Sequence, residues 1–331
     1  NRNASYLGVF FLSLLYYGYQ SISAASGSDS LYILKFLVPP LVFIVITMNY
    51  EQTNWEKVYK WVKIFIAINL LFCLYQVFFG SGISDTARGS GVTPSRNTFS
   101  MYLVFTFDFI LILSFLLNKN KFSLLLITSV IIMEFLSFGR AGWAILGFSF
   151  ILTLIYYRKI VVLLVTSLLT SGVVYAFWDK IIIRLQSGEG TSQHRENMAN
   201  LLKYYGEQQP YFGYGFGWAQ KFLAENPAVS SGIIQPHNDY VRLFVDIGYL
   251  GIALFIIPFL LIAFRCIKML SCKDKKVKQI AFISLISVVQ VLAFMKVYNA
   301  IDMYFASTMM VWLFVAILEM EYRKFKNKHL S

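Results

Sequence analysis

Long apolar runs recur from one end of this chain to the other, separated by short polar or basic segments and by one long polar interval. About 20 apolar residues cross a bilayer as a helix. Runs of that kind predict helices over 6–25, 31–48, 58–79, 99–117, 122–138, 140–157, 160–178, 240–264, 279–297 and 302–320. A lipid-facing helix is apolar nearly all round, so run length carries the assignment and helical periodicity adds little. The expected fold is an all-α polytopic integral membrane protein with about ten transmembrane helices. Residues 1–178 supply about seven of them, 179–239 form one long loop with a short amphipathic helix, and 240–331 supply about three more and a basic tail.

Composition agrees with the pattern. The 331 residues are 57% hydrophobic and only 14% charged, against about 25% charged in soluble domains. The net charge of +12 could suggest nucleic acid, but the basic residues sit in short segments between apolar runs. Lys57, Lys60 and Lys63 mark one segment, Lys119 and Lys121 a second, and Arg158 and Lys159 a third. Arg265, Lys268, Lys273, Lys275, Lys276 and Lys278 mark a fourth, and Arg323, Lys324, Lys326 and Lys328 the tail. In an alternating ten-helix path all five fall on one side, which the positive-inside bias makes cytoplasmic. Both termini are then expected inside, with no nucleic-acid partner. Cys73, Cys266 and Cys272 form no disulfide framework and are expected to be free thiols. The chain opens on Asn1 with no Met or signal-like segment, so it reads as part of a longer protein with one or two helices ahead of it.

The unusual polar residues gather on the other side. Ser192 reads as an N-cap and Gly206 as the residue after a C-cap, giving a short helix over 193–205. Met198, Leu202 and Tyr205 form its apolar stripe with Leu201, and Arg195 lies on the same stripe one turn earlier. A cation at a helix start opposes the macrodipole, so Arg195 reads either as an anion-binding fork or as an arginine snorkelling to headgroups. Arg140 opens a helix six residues after Glu134, so the two could form an ion pair, or Arg140 could hold an anion with Glu134 behind it. Arg88 and Arg96 lie in or beside a Gly/Ser-rich loop, where arginines are usually solvated. His237 and Asn238 stand where the chain turns into the next apolar run. His237, Tyr240, Val241, Phe244, Gly248 and Gly251 share one helical face, and the two glycines would admit a neighbouring helix. Imidazole is suited to general-base work near neutral pH, or His237 could simply cap the helix. The Gly-aromatic run 210–218 reads as an interfacial anchor or a sugar platform. No His/Cys cluster has metal-ligand spacing, so neither metal nor cofactor is expected. Paired broken helices of the secondary-transporter kind are also missing from the sequence pattern.

The motifs resemble one family. His237-Asn238, nine residues, then Gly248-Tyr249-Leu250-Gly251 is similar to the pattern of the O-antigen ligase/polymerase superfamily, the WaaL ligases and Wzy polymerases. SFGRAGW around Arg140 resembles that family's transmembrane arginine element. HRENMANLLKYYGEQQPYFGYGFG resembles its external amphipathic helix, and RGSGVTPSRNTFSMYL its loop-to-helix element upstream. Thr93-Pro94-Ser95-Arg96-Asn97 stands where the family often has Asn-Pro-Asn. The resemblance runs from Arg88 to Gly251. It implies a metal-independent GT-C-like glycosyltransferase of the bacterial cytoplasmic membrane, acting on its outer face. The implied donor is a glycan on undecaprenyl pyrophosphate. Arg140 and Arg195 would hold the pyrophosphate, His237 would activate the acceptor hydroxyl, and Arg88, Asn238, Tyr240 and Glu134 would support substrate binding. A polymerase would extend a lipid-linked repeat unit, with a chain-length regulator as candidate partner. A ligase would use lipid A–core as acceptor. A lipid-linked oligosaccharide transporter is the alternative from another class.

Overall fold

The computed structural model describes residues 7–9, 11–13, 15–16, 19, 32–79, 96–118, 121–137, 139–158, 175, 189–226, 238–297 and 305–328. Among the described residues the chain is helical, with no strand. Its helices are α1 (Tyr32–Asn49), α2 (Trp55–Phe78), α3 (Arg96–Leu117), α4 (Lys121–Ser137), α5 (Arg140–Tyr156) and α6 (Glu189–Gly206). There follow α7 (Trp218–Glu225), α8 (Asp239–Leu270), α9 (Lys275–Val297) and α10 (Phe305–Lys328). Four of them, α2, α3, α8 and α9, are long and apolar enough to cross a membrane, and α4 and α5 are shorter apolar helices. The expected run over 160–178 and much of that over 6–25 lie outside the described residues.

Burial separates centre from periphery. In the apolar windows of α3 and α9, 67% and 61% of residues are buried, against 22% in α2, so α3 and α9 form the middle and α2 stands at the periphery. Polar ties across this middle are specific. Ser287 of α9 donates to Asp108 of α3 at 2.6 Å, and Gln290 of α9 donates to Ser149 of α5 at 2.9 Å. A buried polar group without a partner costs about 1–3 kcal/mol, so these bonds fix helix register as well as proximity.

The end of the bundle that holds the 271–274 turn is tied by charge. Arg265 of α8 forks onto Glu319 of α10 through Nε (2.7 Å) and Nη2 (3.0 Å), with the carboxylate fully buried. Nearby, Tyr50 donates to Glu321 at 2.8 Å, and Lys276 reaches Glu321 at 3.4 Å. Burial, then the charge of Glu321, pushes the Tyr50 hydroxyl well above its usual range and keeps it a donor. Removing one partner of a buried pair strands the other. Glu319→Ala is therefore expected to destabilise the protein by about 3 kcal/mol, read as a lower unfolding temperature in detergent.

α8 is the helix that departs most from its sequence reading. It has 32 residues and contains a non-helical residue, Gly248 (φ 64°, ψ −173°). At 1.5 Å per residue a straight α8 would put Tyr240 about 45 Å from Leu270, whereas Leu292 stands about 25 Å from Lys275 along α9. Yet the Tyr240 hydroxyl donates to the Leu292 carbonyl at 2.8 Å. The outer segment of α8 is therefore bent at Gly248 back across the end of α9. The N-terminal residues follow the same helix, Ser13 donating to Leu254 O (2.7 Å) and Tyr16 to Ile247 O (3.2 Å).

Candidate functional site

The end of the molecule opposite the 271–274 turn is built from α6, α7 and the bent segment of α8. α6 starts earlier than its sequence reading, at Glu189. Its stripe behaves as the spacing requires. Met198 and Leu202 are buried in a small core with Ala219 and Leu223 of α7 and Val245 of α8. Arg195, one turn before Met198, is half-buried on the side of α6 that packs against α8. Gly206 is the last helical residue, and a Cβ there would strike the Phe244 ring, so its small size lets α6 and α8 approach.

α7 had no counterpart in the sequence reading, which took 179–239 as one long loop with a single short helix. Its start is organised by the Gly-aromatic turn before it, and that turn is seated in the break of α8. An unbroken helix would bond the Tyr249 and Leu250 N–H groups to the Val245 and Asp246 carbonyls. Here those four groups turn to the loop. The Val245 carbonyl accepts from Tyr214 N–H (2.9 Å) and the Asp246 carbonyl from Gly215 N–H (2.8 Å). Tyr249 N–H donates to Pro210 O (2.8 Å) and Leu250 N–H to Tyr211 O (3.2 Å). The turn thus replaces two lost helical bonds with four.

Such an approach needs glycine on both sides. Gly248 and Gly213 have positive φ, and a Cβ on Gly248 would meet the Tyr211–Phe212 backbone, one on Gly213 the Asp246–Ile247 backbone. The expected neighbour of Gly248 was another helix. The structure shows a loop backbone there instead, because only a non-helical segment offers free N–H and carbonyl groups to a broken helix.

Asp246, also buried, takes the next donors: Gly217 N–H at 3.1 Å and Ala219 N–H at 2.8 Å. These stand at the start of α7, where backbone donors lack helical partners and negative charge is favoured. Trp218 stacks between Tyr214 (4.5 Å) and Phe222 (4.9 Å). Tyr211 and Phe212 remain exposed, so the aromatic run divides between a local core and an outward surface.

Asn238 caps α8, its side-chain oxygen accepting from Tyr240 N–H (3.1 Å) and Val241 N–H (3.3 Å). Behind it Asp239 and Arg242 form a buried ion pair at 3.1 Å. Asp239, Arg242 and Asp246 follow at i, i+3 and i+7 and so share one helical face. That spacing was visible in the sequence and was missed. His237 and Arg88 lie outside the described residues.

Arg140 stands half-buried at the first position of α5, after Gly139 as N-cap. Glu134 is buried and accepts from Ser100 Oγ at 2.5 Å. A Cβ at Gly142 would overlap both groups, so the carboxylate lies against the first turn of α5. Trp143 Nε1 adds a bond to the Glu134 carbonyl at 2.7 Å. Among the described residues Glu134 forms no ion pair with Arg140. Its partner is the α3 hydroxyl, and the helix start supplies the compensating field. The two arginines thus stand on different helices, α5 and α6, and α9 packs against both α5 and α8. Among the described residues no three His, Cys, Asp or Glu side chains gather as a metal site.

No curated protein matches the chain in sequence. A family model does, that of the O-antigen ligase family (Wzy_C), over residues 122–256. That stretch runs from α4 into α8 and holds Glu134, Arg140, Arg195, His237, Asn238 and Tyr240, while Arg88 falls before it. Through this region the chain is similar to the O-antigen ligase family, and the match supports the O-antigen ligase/polymerase superfamily.

Proposed function

We propose that the protein is a polysaccharide polymerase of the bacterial cytoplasmic membrane. It transfers a growing glycan from undecaprenyl pyrophosphate to a hydroxyl of a lipid-linked repeat unit. The observation that carries this is the family match over 122–256, which encloses both arginines and the histidine chosen from topology and spacing. In the reaction His237 takes the proton of the acceptor hydroxyl, whose oxygen attacks the anomeric carbon. The bond from that carbon to the phosphate oxygen breaks, and undecaprenyl pyrophosphate leaves with the electron pair. Arg140 and Arg195 stabilise the charge that develops on the leaving group, and a base is needed because a sugar hydroxyl is a weak nucleophile. Glu134 braces the α5 start behind Arg140, while Asn238 and Tyr240 hold the outer segment of α8 in place. The fold is of the GT-C kind, with the site facing outward and both termini of the chain inside.

The description of the matching family favours a second reading, an O-antigen ligase with lipid A–core as acceptor. Incubating purified protein with lipid-linked repeat units alone separates the two. A ladder of lengthened products is expected. No product until lipid A–core is added would establish the ligase, and glycan moved across a vesicle without new linkages would establish a transporter.

A further inference from the structure

A carboxylate buried inside an apolar helix is costly unless its environment answers it. Asp246 is 1% exposed, and what answers it is the start of α7, through Gly217 and Ala219. The elements joined there are also the ones that bear the proposed site. α7 and the preceding turn continue directly from α6, which carries Arg195. The outer segment of α8 begins at Asn238, next to His237. We infer that Asp246 is a positioning residue: by fastening the turn and α7 to the bent helix, it sets the placement of Arg195 relative to the Asn238 start of α8.

Three features give the clamp this role. Its backbone bonds run both ways, two donated by the turn and two by α8, so sliding of either element breaks all of them together. The fastening is short along α8, confined to Val245–Leu250, so it acts as a pivot whose angle the carboxylate fixes. Asp246 also accepts through both carboxylate oxygens, Oδ2 from Gly217 N–H and Oδ1 from Ala219 N–H, so it holds two points of the turn at once. The reach of such a residue is large, because a displacement of about 1 Å at reacting groups can cost on the order of 10²-fold in rate.

This inference rests on the transferase reading above, and its test separates the two. Spin labels at exposed Asn200 of α6 and exposed Lys296 of α9 report the placement of α6 against the bundle, in a background carrying Cys272→Ser. The full chain in nanodiscs is compared with Asp246→Ala and with the isosteric Asp246→Asn, which keeps one acceptor and turns an amide toward the other N–H. The expected result is a narrow distance distribution in the parent that broadens in both variants. Alongside it, kcat for lipid-linked repeat units falls on the order of 10²-fold, with donor KM and unfolding temperature little changed in Asp246→Asn. Unchanged distances and kcat in Asp246→Asn would overturn the inference. So would a loss of activity that only tracks the loss of folded protein. If the parent forms no product from any lipid-linked donor, the transferase reading fails, and with it the catalytic purpose assigned to the clamp. The distances then still report whether Asp246 sets the placement of α6.

Discussion

Cells carrying only Arg195→Lys or His237→Ala are expected to make no long-chain polysaccharide, at protein levels equal to the parent. Arg195 is half-buried, one turn before Met198 and two before Leu202, which pack against α7 and α8. An arginine fork can meet two phosphate oxygens at once, which lysine, a compact and strongly hydrated point charge, does not reproduce. Loss of one preorganised donor to a developing oxyanion costs on the order of 10²–10³ in kcat, and loss of a general base about 10²–10⁴. The two variants differ in pH behaviour. With Arg195→Lys, residual turnover should still show an inflection toward acid pH, because protonated imidazole cannot accept the hydroxyl proton. With His237→Ala that inflection should vanish. Initial rates on purified lipid-linked repeat units check both statements, and full activity in either variant would remove the residue from the proposed mechanism.

Gly248→Val is expected to be among the most damaging single changes to the fold. Its backbone, φ 64° and ψ −173°, lies in a region essentially reserved for glycine, where another residue costs about 1–3 kcal/mol. The added Cβ would also meet the Tyr211 and Phe212 backbone, which cannot swing aside as a side chain would. Expelling the turn forfeits four hydrogen bonds, each worth about 1 kcal/mol net. A loss of about 4 kcal/mol or more is expected, read as a lower unfolding temperature and as new protease cleavage near 207–217. Gly251→Ala is the comparison. The atoms nearest a Cβ there belong to the Ile247 side chain rather than to backbone, and its φ is not positive, so it should be milder.

Local features could be read from the sequence. The stripe Met198–Leu202 follows from spacing, and burial against α7 and α8 agrees with it. The apolar runs over α3 and α9 were long enough to name, and the basic residues at the C-terminal ends of α8 and α10 marked one end of the bundle. What sequence could not supply depends on partners far apart along the chain. Ser100 and Glu134 are separated by 34 residues, and Asp246 meets backbone donors 27 and 29 residues away. A backbone N–H leaves no trace in residue type, so an acid that binds one looks like an unexplained charge. Gly248 misled for a related reason. Inside an apolar run a glycine followed by Gly251 resembles a small-residue helix contact, and only the alternating glycines at 213, 215 and 217 hinted that a left-handed turn had to dock somewhere. Arg140, Arg195 and His237 were singled out because polar groups beside apolar runs are few in the sequence; Arg140 and Arg195 are half-buried, and His237 lies outside the described residues.

The break in α8 also bears on how the chain enters the membrane. Asp and Arg at the centre of an inserting helix cost about 2.5–3.5 kcal/mol each on the translocon scale, and Asp239, Arg242 and Asp246 would burden a straight α8 with three of them. Residues 249–270 alone reach the length of about 20 that partitioning into lipid requires. The break at Gly248 therefore separates the apolar half of α8 from the half that carries these three charges. The 210–217 turn precedes Gly248 in the chain, so the segment that occupies the break has already been synthesised when the break is made.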